Sequence, residues 1–134
     1  MAKTRRARDT DCGPEGHTGA HEELTIDDET FERAAALFRA AGDVSRLKIL
    51  ARLAAGEWCV TELAEAADVG MSTVSQQLRL LRSERLVRRH RDGKHMVYRL
   101  ADGHIRRLVR VALRHADHAG ATPAPGRPTA SRAR

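Results

Sequence analysis

The feature that most constrains this chain is an array of potential metal ligands near its C-terminus: Asp102, His104, His115 and His118, spaced D-x-H-x10-H-x2-H. Asp102 is a good N-cap and the run after it has helix formers and no proline, so one helix is expected from about Gly103 to His118. His104, Leu108, Val111, His115 and His118 then follow steps of three and four, which places them on one face. His115 and His118 are neighbours, about 5–6 Å apart at Cβ. His104 is too distant to join them, because eleven residues at about 1.5 Å each separate it from His115 by roughly 16 Å, whereas a zinc–nitrogen bond is about 2 Å. One helix cannot close such a site. Two antiparallel copies can, since the Asp102/His104 end of one meets the His115/His118 end of the other, and twofold symmetry makes two equivalent sites. Three imidazoles and a carboxylate form a tetrahedral set suited to zinc or cobalt. The array therefore predicts a homodimer as well as a metal. A helix merely decorated with histidines is the plainer alternative, and four potential ligands on an otherwise apolar face argue against it.

A chain of 134 residues has room for one modest core, which makes further burial by dimerisation physically attractive. Its net charge of +6 points to a polyanionic partner, although basic tails supply part of it. No apolar run approaches membrane-spanning length and the N-terminus lacks the apolar core of a signal peptide, so a cytoplasmic protein with no membrane partner is expected. Two cysteines, Cys12 and Cys59, do not make a disulfide framework and are better regarded as thiols or ligands. Residues 1–26 are expected as a flexible N-terminal arm, 27–118 as the folded domain and 119–134 as a disordered tail. The arm carries Cys12, His17 and His21, all potential metal ligands.

The folded part is expected to start near Asp27 or Asp28, where acidic residues precede Phe31, Ala34, Ala35, Leu37 and Phe38. Asp43 caps a second helix after Gly42, with Val44, Leu47, Ile49, Leu50 and Leu53 on its buried side and Ala55-Gly56 at its end. Beyond Cys59, Thr61 is expected to cap a short helix, and Asp68-Val69-Gly70 breaks the chain before another helix begins at about Met71 or Ser72. Val74, Leu78 and Leu81 then point inward with Leu63 and Ala64, leaving Ser72, Thr73, Ser75, Gln76 and Arg79 outward. Such side chains can read a DNA major groove, Gln pairing with adenine and Ser or Thr reaching bases or phosphates. A polar helix face is the common alternative, and the small residues at the corner favour a helix-turn-helix. Two alternating runs, Leu86–Arg91 and Lys94–Leu100, flank Asp92-Gly93, a strong hairpin-turn signal. The hairpin tip, from Arg91 to Lys94, is basic and suited to phosphate contact. The expected fold is mainly α with a small β-hairpin: a homodimeric winged helix-turn-helix, with the domain 27–118 serving both DNA binding and dimerisation.

From about Phe31 to His118 the chain resembles the ArsR/SmtB metal-responsive repressors. The resemblance rests on Gly42–Leu50 (GDVSRLKIL), Glu57–Ala64 (EWCVTELA), Ser72–Leu81 (STVSQQLRLL), Gly93–Tyr98 (GKHMVY) and the ligand array. It implies a homodimer, joined through the first and last helices, that binds double-stranded operator DNA without metal and releases it when metal binds. Asp102, His104, His115 and His118 match the interface site used by the family's zinc and cobalt sensors, with nickel a weaker match. The resemblance also implies that the second ring N–H of His115 reaches the Arg85 carbonyl. A second family site corresponds to Cys59 and Glu62, the latter standing where an Asp is usual, joined by Cys12 and His17 or His21 from the partner's arm. Thr61 replaces the second cysteine of the Cys-x-Cys pair found in the cadmium and lead sensors, which argues against a thiolate-rich site. Two other classes remain: a thiol-redox repressor using Cys12 and Cys59, and a metal-buffering protein that does not bind DNA. An enzyme is not expected, because full ligation leaves no open metal position and no nucleophile–base constellation is present.

Overall fold

The computed structural model describes residues 23–121. Five helices and three strands follow in the order α1 (Asp28–Ala41), α2 (Val44–Ala55), β1 (Trp58–Cys59), α3 (Val60–Ala67), α4 (Met71–Ser83), β2 (Val87–Asp92), β3 (His95–Leu100) and α5 (Gly103–Ala121). Aspartates start three of the helices by accepting hydrogen bonds from amides otherwise without a partner. Asp27 accepts from the Thr30 N–H at 2.8 Å, Asp43 from the Arg46 N–H at 3.0 Å and Asp102 from the Ile105 N–H at 2.9 Å. The expected starts of α1, α2, α4 and α5 match these bounds. Helix α5 runs three residues past the expected end at His118.

Between α1 and α2 the chain turns at Gly42, where an added Cβ would lie 2.9 Å from the Phe38 carbonyl oxygen. Only glycine fits that close approach without movement of the backbone. The helices then enclose one core in which Leu50, Leu53, Leu63, Val74, Leu78, Leu81 and Leu86 are almost wholly removed from solvent. Each contributes about 1.5–3 kcal/mol by burial. Tyr98, Val87 and Leu100 extend this core onto one face of the sheet. Val44 and Leu47 depart from expectation: Val44, the first residue of α2, is 72% exposed and Leu47 is half-buried outside the core, whose contribution from α2 is Ile49, Leu50, Leu53 and Ala54.

The sheet has the antiparallel order β1-β3-β2, with Trp58 opposite Tyr98, Cys59 opposite Val97, and Val87 opposite Leu100. Strand β1 adds a third member to the expected hairpin. The hairpin loop also differs by one residue. Asp92 pairs with His95, so Gly93-Lys94 forms the two-residue loop rather than Asp92-Gly93. Gly93 has φ 60, as a type II′ hairpin requires of its first loop residue. Helix α3 begins at Val60 with Cys59 as its cap, and Thr61 lies inside the helix.

Candidate metal and nucleic-acid sites

The helix-turn-helix is formed by α3 and α4 around a three-residue corner. Asp68 adopts the left-handed conformation at φ 52, which aspartate tolerates better than most residues. Its N–H donates to the Glu65 carbonyl and that of Val69 to the Ala64 carbonyl, both at 3.2 Å, which closes α3. Gly70 brings no side chain to the first amides of α4, so the positive end of that helix remains open to phosphate. Val74, Leu78 and Leu81 anchor α4 from below, and Ser72, Thr73, Ser75, Gln76 and Arg79 are all exposed, as expected. The neighbouring Gln77 turns inward instead, and its Oε1 accepts from Arg46 Nη1 at 3.5 Å. Arg46 also donates from Nε to the Ala40 carbonyl at 2.6 Å and from Nη2 to the Arg39 carbonyl at 3.3 Å, tying α1, α2 and α4 together.

The hairpin presents Arg91 and Lys94 to solvent at and beside its tip. On its outer face Arg88 lies directly opposite Arg99, and both side chains are exposed. Like charges in that position repel, so an anionic partner favours this surface.

At the start of α5, Asp102 Oδ1 lies 3.8 Å from His104 Nδ1. The His104 side chain is 95% exposed and that of Asp102 54%. His115 and His118 lie one turn apart near the other end of the same helix, both exposed. The chain therefore brings the four candidate ligands together only as two half-sets. Among the described residues of a single chain, no group of three or more His, Cys, Asp or Glu side chains converges to hold a metal. Between the halves, Leu108 is half-buried and Val111 is 56% exposed, while Phe31 and Phe38 of α1 are 57% and 60% exposed. These apolar groups make an unfinished surface on the first and last helices. Arg85 is left-handed at φ 60 in the turn after α4, and within one chain no hydrogen bond joins it to His115.

Cys59 and Glu62 are adjacent but already engaged with each other. The Cys59 N–H donates to Glu62 Oε2 at 2.9 Å, and the Cys59 sulfur faces the Glu62 N–H, so the pair forms a capping box for α3. The remaining candidates for this second site, Cys12, His17 and His21, lie outside the described residues. Asp27 is the one titrating group with a clear displacement among the described residues. Hydrogen bonds from Thr30, first its side chain and then its backbone, hold the Asp27 carboxyl below the usual carboxylate range.

Arg46, Arg52, Trp58 and Arg110 are structural contributors that spacing did not reveal. Each bonds mainly to backbone carbonyls of other elements. The available signal was limited to the presence of arginines within otherwise amphipathic helices.

Among the described residues, no helix is long and apolar enough to cross a membrane. Residues 43–89, from the cap of α2 into β2, match the family described as bacterial regulatory protein, arsR family. The chain is 45% identical over 84 residues to a transcriptional repressor SmtB homolog from Synechocystis, a match covering 63% of this chain and 64% of that relative, just under two thirds of its length. It is 44% identical over 97 residues to the HTH-type transcriptional regulator KmtR of Mycobacterium tuberculosis, covering 72% of each. Among solved structures, a homodimeric winged helix-turn-helix DNA-binding domain from Mycobacterium bovis superposes with a TM-score of 0.66 at 29% identity, covering 74% of this chain and 92% of that one. The two sequence relatives are named as transcriptional regulators and the solved domain as a possible one, and none is named as an enzyme. With its three-stranded wing and exposed polar face on α4, the chain belongs to the ArsR/SmtB family of winged helix-turn-helix transcriptional regulators.

Proposed function

We propose that the protein is a metal-responsive repressor that holds double-stranded operator DNA as an apo homodimer and releases it on binding zinc or cobalt, with nickel a poorer fit. The observation that carries this reading is the division of the ligand array on α5 into two exposed halves. Asp102 and His104 would hold the metal with His115 and His118 of the partner subunit. The donor set fits the group, since three imidazoles and a carboxylate satisfy a tetrahedral ion. Bound there, the divalent cation supplies bonds that join donors of two chains.

The chain's own groups do the rest. Asp102 keeps one oxygen on the Ile105 N–H, which fixes the carboxylate at the first turn of α5. Phe31, Phe38 and Val111 offer the apolar area for subunit contact. Ser72, Thr73, Ser75, Gln76 and Arg79 face bases and phosphates, and Arg91 and Lys94 add sequence-independent affinity. A dimer must set its two recognition helices one groove repeat apart, so any preferred subunit geometry changes DNA affinity. Couplings of about 1–3 kcal/mol, or 5–150-fold, are typical of such linkage.

The test is fluorescence anisotropy of a labelled fragment of the protein's own promoter, titrated with apo protein and then with zinc under reducing conditions. Tight apo binding reversed by stoichiometric zinc is expected. Apo binding unaffected by zinc or cobalt overturns the metal reading. If release then follows thiol oxidation and is lost in a Cys12→Ser/Cys59→Ser variant, the redox reading replaces it.

A further inference from the structure

Three side chains connect α5 to the helix-turn-helix through the end of α2. Arg110 Nη2 donates to the Ala54 carbonyl at 3.1 Å, Trp58 Nε1 to the Arg52 carbonyl at 3.0 Å, and Arg52 Nη2 to the Ala66 carbonyl at 2.9 Å. All three acceptors lie in the last turn of a helix, where carbonyls have no amide partner four residues on. A guanidinium there also meets the negative end of the helix dipole. The last turn of α2 is thus held by α5 through Arg110 and by the wing sheet through Trp58, whose strand pairs with β3. In turn it holds the end of α3 through Arg52. Only Asp68, Val69 and Gly70 separate that end from the recognition helix.

Arg110 lies between His104 and His115 along α5 but off their face, since six and five residues are not whole turns. It can therefore hold α2 while the ligand face meets another subunit. A shift of α5 that draws Arg110 about 1 Å away along its 3.1 Å bond breaks that bond unless α2 follows or the arginine side chain extends. We propose that Arg110 is a positioning residue that couples the ligand face of α5 to the helix-turn-helix by holding the end of α2 and, through Arg52, the end of α3. This rests on the reading of α5 as the effector-binding helix. It identifies the contacts through which two sites on different elements bias one arrangement.

The experiment uses full-length protein with Arg110→Ala, Arg110→Lys and Arg52→Gln. Operator affinity is measured with and without zinc, zinc affinity separately, and backbone amide exchange in the apo state. Arg110→Ala and Arg52→Gln should keep apo operator affinity and zinc affinity within about threefold of native, while the zinc-induced loss of operator affinity becomes at least fivefold smaller. Arg110→Lys should restore part of that response. In the apo state, Arg110→Ala should speed exchange in residues 60–67 several-fold and leave residues 28–41 unchanged. A native zinc response in Arg110→Ala overturns the proposal, as does unchanged exchange in α3 or faster exchange everywhere. If native protein ignores zinc, the metal reading fails and the exchange measurement alone decides whether the linkage exists. If Arg110→Ala does not fold, Arg52→Gln, which leaves α5 intact, decides by the zinc response.

Discussion

Helices α4 and α5 both carry apolar residues at helical spacing, yet one finds its cover within the chain and the other does not. On α4, Val74, Leu78 and Leu81 are at most 1% exposed. On α5, Ile105 and Val109 are buried near the start, whereas every residue from Arg110 to Gly120 is exposed. Helix α4 is thus seated by its own chain, whereas the C-terminal half of α5 has no cover within it. A helix buried on one side can be repositioned as a unit. A half-covered helix gains its remaining contacts only when a second surface arrives.

The contrast breaks first at the core. Leu78→Ala should cost about 2–5 kcal/mol in urea unfolding, as deletion of a fully buried leucine does. Val111→Ala should change the unfolding of the dilute chain by less than about 0.5 kcal/mol and instead weaken dimerisation in sedimentation experiments. Equal unfolding losses for the two would erase the distinction. His104→Gln or His115→Arg should leave apo operator binding intact while removing a zinc effect of about 5–150-fold. Loss of apo binding as well would show that these histidines hold the structure. Within the DNA surface, Gln76→Ala should reduce discrimination between operator and mutated operator by about 1–3 kcal/mol. Lys94→Ala should weaken all sequences alike and lower the salt slope by about one.

The smallest effect concerns Asp27. Its folded carboxyl titrates below its unfolded value, so its charged cap stabilises α1 above about pH 4 and ceases to do so as pH falls through the lowered folded value. Thermal melts of the native chain and Asp27→Asn should differ slightly at pH 7 and converge once acid has protonated the carboxyl in the folded chain. A difference that grows toward acid would contradict this assignment.

Much of this arrangement was legible in the residue order because it depends on local chemistry. Asp27, Asp43 and Asp102 cap helices by bonds to amides three residues away, and the outward face of α4 follows from the spacing of Val74, Leu78 and Leu81. The D-x-H-x10-H-x2-H spacing was legible, and its three histidines lie on one helix behind the Asp102 cap as expected. Strand β1 was not legible, because Trp58 and Cys59 are too few to show alternation and pair only with distant β3. Thr61 and Cys59 are both chemically able to cap α3, and the Glu62 carboxylate settles the choice by bonding to the Cys59 N–H. The contact from Arg110 to Ala54 spans 56 residues and ends on a carbonyl, a group every residue carries. No spacing rule can find such a partner.

The facing pair Arg88 and Arg99 gives dissolved ions two opposed roles in the wing. In the free protein, added electrolyte screens one guanidinium from the other and favours the zipped strands. In the proposed complex, the same ions would compete with the protein's cations for the phosphate backbone. On the proposed wing contact, the hairpin is best formed where it would hold DNA least, and the repulsion within it is greatest in dilute buffer, where a nearby phosphate would relieve it.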